Sequence, residues 1–152
     1  MRFAFIIAAS TTLLAPLQGQ SPCKLEGVWQ LVSGTADGKP YVAGSRSMKI
    51  ITKGHFSVVW HEDGAPKEVK TVSDSLAAYR HLGGGGGSYT LRASTYIETI
   101  EYFSDPAMVG QTVSFTCRTE GDRFYQSGLF PVLEGGKKVR DSKLEEVWRR
   151  IE

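Results

Sequence analysis

From residue 27 onward, apolar and polar residues alternate in short runs cut by Gly and Asp turns. Gly27 to Gly34 places Trp29 and Leu31 on one face and Gln30 on the other, which predicts a first strand. Asp37-Gly38-Lys39-Pro40 is turn chemistry. Met48 to Thr52 and His55 to His61 read as two strands joined at Lys53-Gly54 in a hairpin. In the second of them Phe56, Val58 and Trp60 share one face, and His55, Ser57, Val59 and His61 the other. Five further strands are predicted at Ser88 to Arg92, Thr95 to Phe103, Thr112 to Thr119, Arg123 to Leu129 and Lys143 to Ile151. Eight short strands at this spacing predict an all-β, closed up-and-down barrel. That is about the smallest barrel that can enclose one small ligand.

One segment departs from the alternation. Val72, Leu76, Tyr79 and Leu82 recur at helical spacing behind Ser73, a residue type that caps helices, so one short inserted helix is predicted over 72–82. Gly83 to Gly87 follow it. Five glycines exceed what a helix end needs and read as a flexible hinge. A helix on such a hinge suits a lid over a barrel mouth. The alternative is a connecting helix that plugs the barrel end.

The length of 152 residues suits one domain. Residues 1–20 read as a secretory signal: Arg2 is the only charge, Phe3 to Leu14 is almost unbroken apolar sequence, and Pro16 ends it. Cleavage is expected near Gly19 or Gln20, leaving residues 21–152 as the barrel domain, periplasmic or secreted. Gln20-Ser21-Pro22 before Cys23 is a poor lipid-attachment box. No later stretch is apolar for long enough to span a membrane. The net charge of +2 gives no reason to expect nucleic acid. In an oxidising compartment the two cysteines, Cys23 and Cys117, read as a disulfide. It would close a loop of about ninety residues, worth about 4 kcal/mol in the chain-entropy model. Two buried thiols are the alternative, since Cys117 shares an apolar face with Val113 and Phe115. The chain contains no Asn, which excludes N-glycosylation.

Trp29 in the first strand and Trp148 and Arg150 in the last have structural roles in this reading. Trp covers a large apolar area at a barrel base, and an Arg from the neighbouring strand can lie across its ring. Along 95–103, Tyr96, Glu98, Ile100 and Tyr102 share one face and Ile97, Thr99, Glu101 and Phe103 the other. The first face is the more ligand-like, two phenols and a carboxylate around an apolar residue. A desolvated Glu98 there suits acid–base work, with Tyr96 and Tyr102 as further catalytic candidates. Alternatively Glu98 pairs with Arg92, Arg118 or Arg123 and only holds the barrel together. His55 and His61 are about 20 Å apart along one strand and cannot share a metal, so no metal and no cofactor is expected. No nucleophile elbow and no phosphate-binding loop occurs.

Several motifs together carry a resemblance: Leu25-Glu26-Gly27-Val28-Trp29, Gly86-Gly87-Ser88-Tyr89-Thr90-Leu91, Thr95 to Tyr102, Asp105-Pro106-Ala107-Met108-Val109-Gly110, Gly121-Asp122-Arg123, and Glu146-Val147-Trp148-Arg149-Arg150-Ile151. The chain resembles the bacterial lipocalin-like, calycin-type families of small exported proteins of unassigned function. The resemblance covers most of the mature chain and is weakest between Ala36 and Gly83. It implies an up-and-down barrel with an internal cavity, and no agreed activity. The second and third lipocalin signatures have no counterpart here, so a carrier role comes by fold analogy.

The expected function is binding of a small, largely apolar or aromatic molecule in the barrel. Phe56, Val58, Trp60, Tyr89, Tyr96, Glu98, Tyr102 and Phe115 are the expected wall. A cofactor-free isomerase, cyclase or lyase using Glu98 is a second possibility. A third is a filled barrel whose outer surface binds another protein. The oligomeric state is left open.

Overall fold

The structure, a computed structural model, describes residues 23–41 and 45–152. The segment read as a secretory signal and its cleavage site lie outside them. The strands are β1 (Gly27–Ala36), β2 (Lys39–Pro40), β3 (Ser45–Ile51), β4 (His55–Glu62), β5 (Leu82–Arg92), β6 (Thr95–Phe103), β7 (Thr112–Glu120), β8 (Arg123–Glu134) and β9 (Lys137–Arg150). One helix, α1 (Val72–Arg80), joins β4 to β5. Apart from β2, a two-residue arm on β1, each strand pairs antiparallel with the next, and β9 pairs back onto β1 from Trp29↔Arg150 to Ala36↔Leu144. Closure of these eight strands gives the up-and-down barrel, with no strand edge left among them. Strands β5, β8 and β9 run longer than their hydrophobic pattern indicates. Turn residues Gly135 and Gly136, both at positive φ, set the β8–β9 hairpin.

One end of the barrel is sealed by side chains. Trp29 is fully buried, and its indole Nε1 donates to the Leu25 carbonyl at 2.6 Å. The Arg150 guanidinium lies 4.1 Å from the Trp29 ring and donates to the carbonyls of Glu26 and Lys24, at 2.5 and 3.1 Å. Trp148, Phe124 and Tyr96 fill the layer above, with Phe124 5.5 Å from Trp29 and 6.2 Å from Tyr96, ring centre to ring centre. The lead-in segment crosses beneath: Leu25 is buried, and Cys23 is bonded to Cys117 over a separation of 94 residues. The expected disulfide is formed, and the two free thiols are ruled out.

The five glycines are strand, not hinge. Gly83 to Gly87 pair with Trp60 to Phe56 of β4 on one side, and Gly85 to Gly87 with β6 on the other. The reason is space. A Cβ at Gly83 would overlap the Trp60 indole, one at Gly85 the Phe103 ring, and one at Gly87 the Thr99 carbonyl. Side chains from the two neighbouring strands lean across β5 and occupy the volume that its own side chains would need.

The helix is also corrected in detail. It ends at Arg80, and Leu82 starts β5. Its cap is Thr71 rather than Ser73: Thr71 Oγ1 accepts from the Asp74 amide at 3.1 Å while the Asp74 carboxylate accepts from the Thr71 amide at 2.8 Å. This reciprocal pair satisfies two free amides at once, which Ser73, inside the first turn, is not placed to do. None of the helix residues is buried. Among the described residues its side-chain hydrogen bond to the barrel is Tyr79 Oη donating to the Ser104 carbonyl at 3.1 Å. The helix therefore does not plug the barrel end.

Replacing Gly85 or Gly87 by Ala is expected to destabilise the protein by about 1–3 kcal/mol each, as overpacking does. Urea denaturation checks this. A flexible hinge would instead accept Ala with a neutral or small stabilising effect.

Candidate functional site

Above the sealed end the barrel holds a cavity of about 320 Å³. Its mouth lies at the opposite end from Trp29, where Ala36, Tyr41, Ser45 and Glu62 line it at or beside strand ends. Its walls are mainly apolar: Leu31, Phe56, Val58, Trp60, Ile100, Phe103, Phe115, Phe130, Leu144 and Trp148. Trp60, Phe103 and Phe130 form an arc of rings, with centres 5.5 and 6.5 Å apart. Trp60 and Phe103 lie over the glycine strand, so the missing side chains of β5 are what give these two rings their place. A second depression, about 420 Å³, lies over β1, β7, β8 and β9 and is lined mostly by outward-facing residues such as Thr116, Arg118, Tyr125, Ser127 and Glu145.

Into the apolar cavity project four polar side chains that form one chain of contacts. Lys49 on β3 and Glu98 on β6 are 3 % and 5 % exposed, and their Nζ and Oε1 atoms are 3.0 Å apart. Lys49 also donates to Gln126 Oε1 on β8 at 3.3 Å. Gln126 Nε2 donates in turn to Glu146 Oε2 on β9. Glu146 further accepts from Trp148 Nε1 at 3.0 Å and from the Tyr41 hydroxyl. The Lys49 ammonium faces the rings of Phe56, Tyr96 and Trp148, at 5.8, 5.8 and 5.1 Å from their centres. Burying both ends of an ion pair costs desolvation, which is offset only when the geometry and the further hydrogen bonds are good. Here one oxygen of Glu98, the Gln126 carbonyl and three ring faces share that task.

Two phenols border the network. Burial, then the charge of Glu146 and the hydrogen bond to it, raise the Tyr41 pKa above the ordinary tyrosine range. Burial, then the charge of Glu98, raise that of Tyr96. The Tyr96 hydroxyl faces these carboxylates yet has no partner in hydrogen-bond geometry. Both phenols stay protonated at neutral pH, and Tyr41 serves as a hydrogen-bond donor to Glu146.

The residues singled out from the sequence fall in three places. Phe56, Val58, Trp60, Glu98 and Phe115 line the cavity. Tyr96 and Tyr89 lie below it, in edge-to-face contact at 5.2 Å. Tyr102 is outside the barrel, 53 % exposed, and this corrects its assignment to the wall and to catalysis. A bulge explains it: Gly87 pairs with Ile100 but Gly86 with Tyr102, so Glu101 is an extra residue and the alternation slips by one. Phe103 turns inward in its place. Glu98 is buried and ion-paired, but with Lys49 from across the barrel and not with an arginine. Arg118 instead pairs with Glu120 and covers the Tyr125 ring at 3.6 Å.

The sequence reading missed Lys49, Gln126 and Glu146 of the polar network, and Tyr41, Leu31, Ile100, Phe103, Phe130 and Leu144 of the lining. A signal existed for Lys49. It sits between Met48 and Ile50, so whichever face of β3 is inside, one choice buries a lysine. The structure buries it and leaves both apolar neighbours exposed. Among the described residues no group of three or more His, Cys, Asp or Glu is placed to hold a metal ion. Among them, too, no helix is long and apolar enough to cross a membrane.

Fold and site together define an eight-stranded up-and-down barrel with one sealed end and one polar-based, aromatic-walled cavity. No protein-family model matches the chain, and no curated protein is significantly similar to it.

Removing Lys49 alone strands the Glu98 carboxylate in the interior. Lys49→Met is expected to cost about 3–5 kcal/mol, and the Lys49→Met, Glu98→Met double variant markedly less. Chemical denaturation of the three variants as a double-mutant cycle checks this. A single-variant cost below about 1 kcal/mol would show that Glu98 is not held by Lys49.

Proposed function

We propose that the protein is an exported, lipocalin-like carrier that holds one small, largely apolar or aromatic molecule in its barrel. The observation that carries this reading is the aromatic-walled cavity of about 320 Å³ above a sealed floor. Sites for small molecules are concave, mostly apolar, about 300–1,000 Å³ in volume, and carry a few convergent polar groups. The cavity has that composition, and its volume falls at the lower end of that range, which suits a ligand of one or two rings. It also counts against a filled barrel acting only through its outer surface. Export is supported by the Cys23–Cys117 disulfide, which an oxidising compartment maintains, and by the leader-like composition of residues 1–20. Kinship with the lipocalin-like exported barrels accounts for the shared strand plan and for the Trp29, Trp148 and Arg150 floor.

The enzyme reading loses ground on two points. Tyr102 lies outside the barrel and cannot stabilise an oxyanion within it. Glu98 is held in an ion pair with Lys49 and is not poised against an open position.

The test is fluorescence titration with prodan, a neutral dye built on the two fused rings of naphthalene that brightens in apolar surroundings. The expected result is saturable binding of one dye per barrel, lost in Val58→Trp, which fills the cavity. Near-UV circular dichroism verifies that this variant remains folded. Absence of saturable binding to the unmodified protein contradicts the proposal.

A further inference from the structure

We propose that the cavity selects an organic cation: a protonated amine carrying an aromatic or apolar body. This rests on the carrier reading and narrows it to a ligand class. The charged residues lining the cavity are Lys49, Glu62, Glu98 and Glu146, three carboxylates against one ammonium. Lys49 is committed to Glu98 at 3.0 Å and to the Gln126 carbonyl. Glu146 has no such cation. Its partners are Gln126, Trp148 and Tyr41, all neutral donors, and among the described residues no Lys or Arg forms an ion pair with it. Glu62 adds a further negative charge at the rim. In a low-dielectric cavity an uncompensated carboxylate attracts a counter-charge more strongly than it would in water. Among the described residues none is paired with Glu146, so a cationic occupant can supply the complementary charge.

A further observation points the same way. The arc of Trp60, Phe103 and Phe130 offers ring faces, which attract cations and stack on aromatic bodies. An anionic ligand would instead have to approach Glu62 and Glu146 to reach an ammonium that is already paired.

The experiment is isothermal titration of the whole protein with three probes of one shape: naphthylethylamine, naphthylethanol and naphthylacetate. The amine is expected to bind at least about tenfold more tightly than the alcohol, and the carboxylate more weakly than either. In Glu146→Gln the amine-to-alcohol ratio is expected to fall towards one. Glu62→Gln, at the exposed rim, gives a smaller fall in the same direction and does not rely on the Glu146 variant folding. Equal binding of amine and alcohol, tighter binding of the carboxylate, or a ratio unchanged in both variants overturns the cation proposal while the carrier reading stands. Failure of all three probes to bind removes the carrier reading together with it.

Discussion

The rest of the structure depends on the seal made by Trp29. Its indole is buried, its N–H is held by the Leu25 carbonyl, and its outer face is covered by Arg150. Two distant parts of the chain meet there: the lead-in segment with the first strand, and the last strand. The same contact therefore closes β1 onto β9 and fixes the lead-in across the barrel base. The disulfide to Cys117 fastens that lead-in a second time, from a strand on another part of the wall. With one end filled by aromatic side chains, the space left inside opens at the other.

What keeps that space from collapsing is the lack of side chains on β5. A run of glycines is a weak strand former in isolation, because it orders a flexible backbone and contributes nothing to packing. Here β4 and β6 supply the packing on its behalf. Trp60 and Phe103 lie over the glycine backbone from the inside, and Tyr102 lies over Gly86 from the outside. The arrangement brings large rings to the cavity wall without their own strands closing in. The polar network then occupies the inner end of the cavity. It is organised around Lys49, the one cation there, and Gln126 passes its influence on to Glu146.

Most of the barrel was legible in the sequence because alternation and turn chemistry are local. The eight strands, the hairpin turns and the single helix can each be read within a few residues, and the Trp29–Arg150 floor follows once the first and last strands are taken to close the barrel. The glycine run was misread because its cause is not local. Nothing within 83–87 records that Trp60 and Phe103 need that volume. The slip at Glu101 is similar, since a bulge in β6 is set by its pairing with β5, and it reversed the fates of Tyr102 and Phe103. Of the site, Glu98, Phe56, Val58, Trp60 and Phe115 were visible on one strand at a time. Lys49 carried a local signal in its alternation with Met48 and Ile50, but its meeting with Gln126 and Glu146 carried none, because no short-range pattern marks residues on three strands that converge inside a barrel.

The central claim is that the barrel interior holds a small molecule. Native mass spectrometry tests it most directly, on protein purified without organic solvent and compared with the denatured mass of the same sample. The account predicts a noncovalent adduct of small-molecule mass, one per chain, that is lost on denaturation. A native mass equal to that of the bare chain in every such preparation would contradict it.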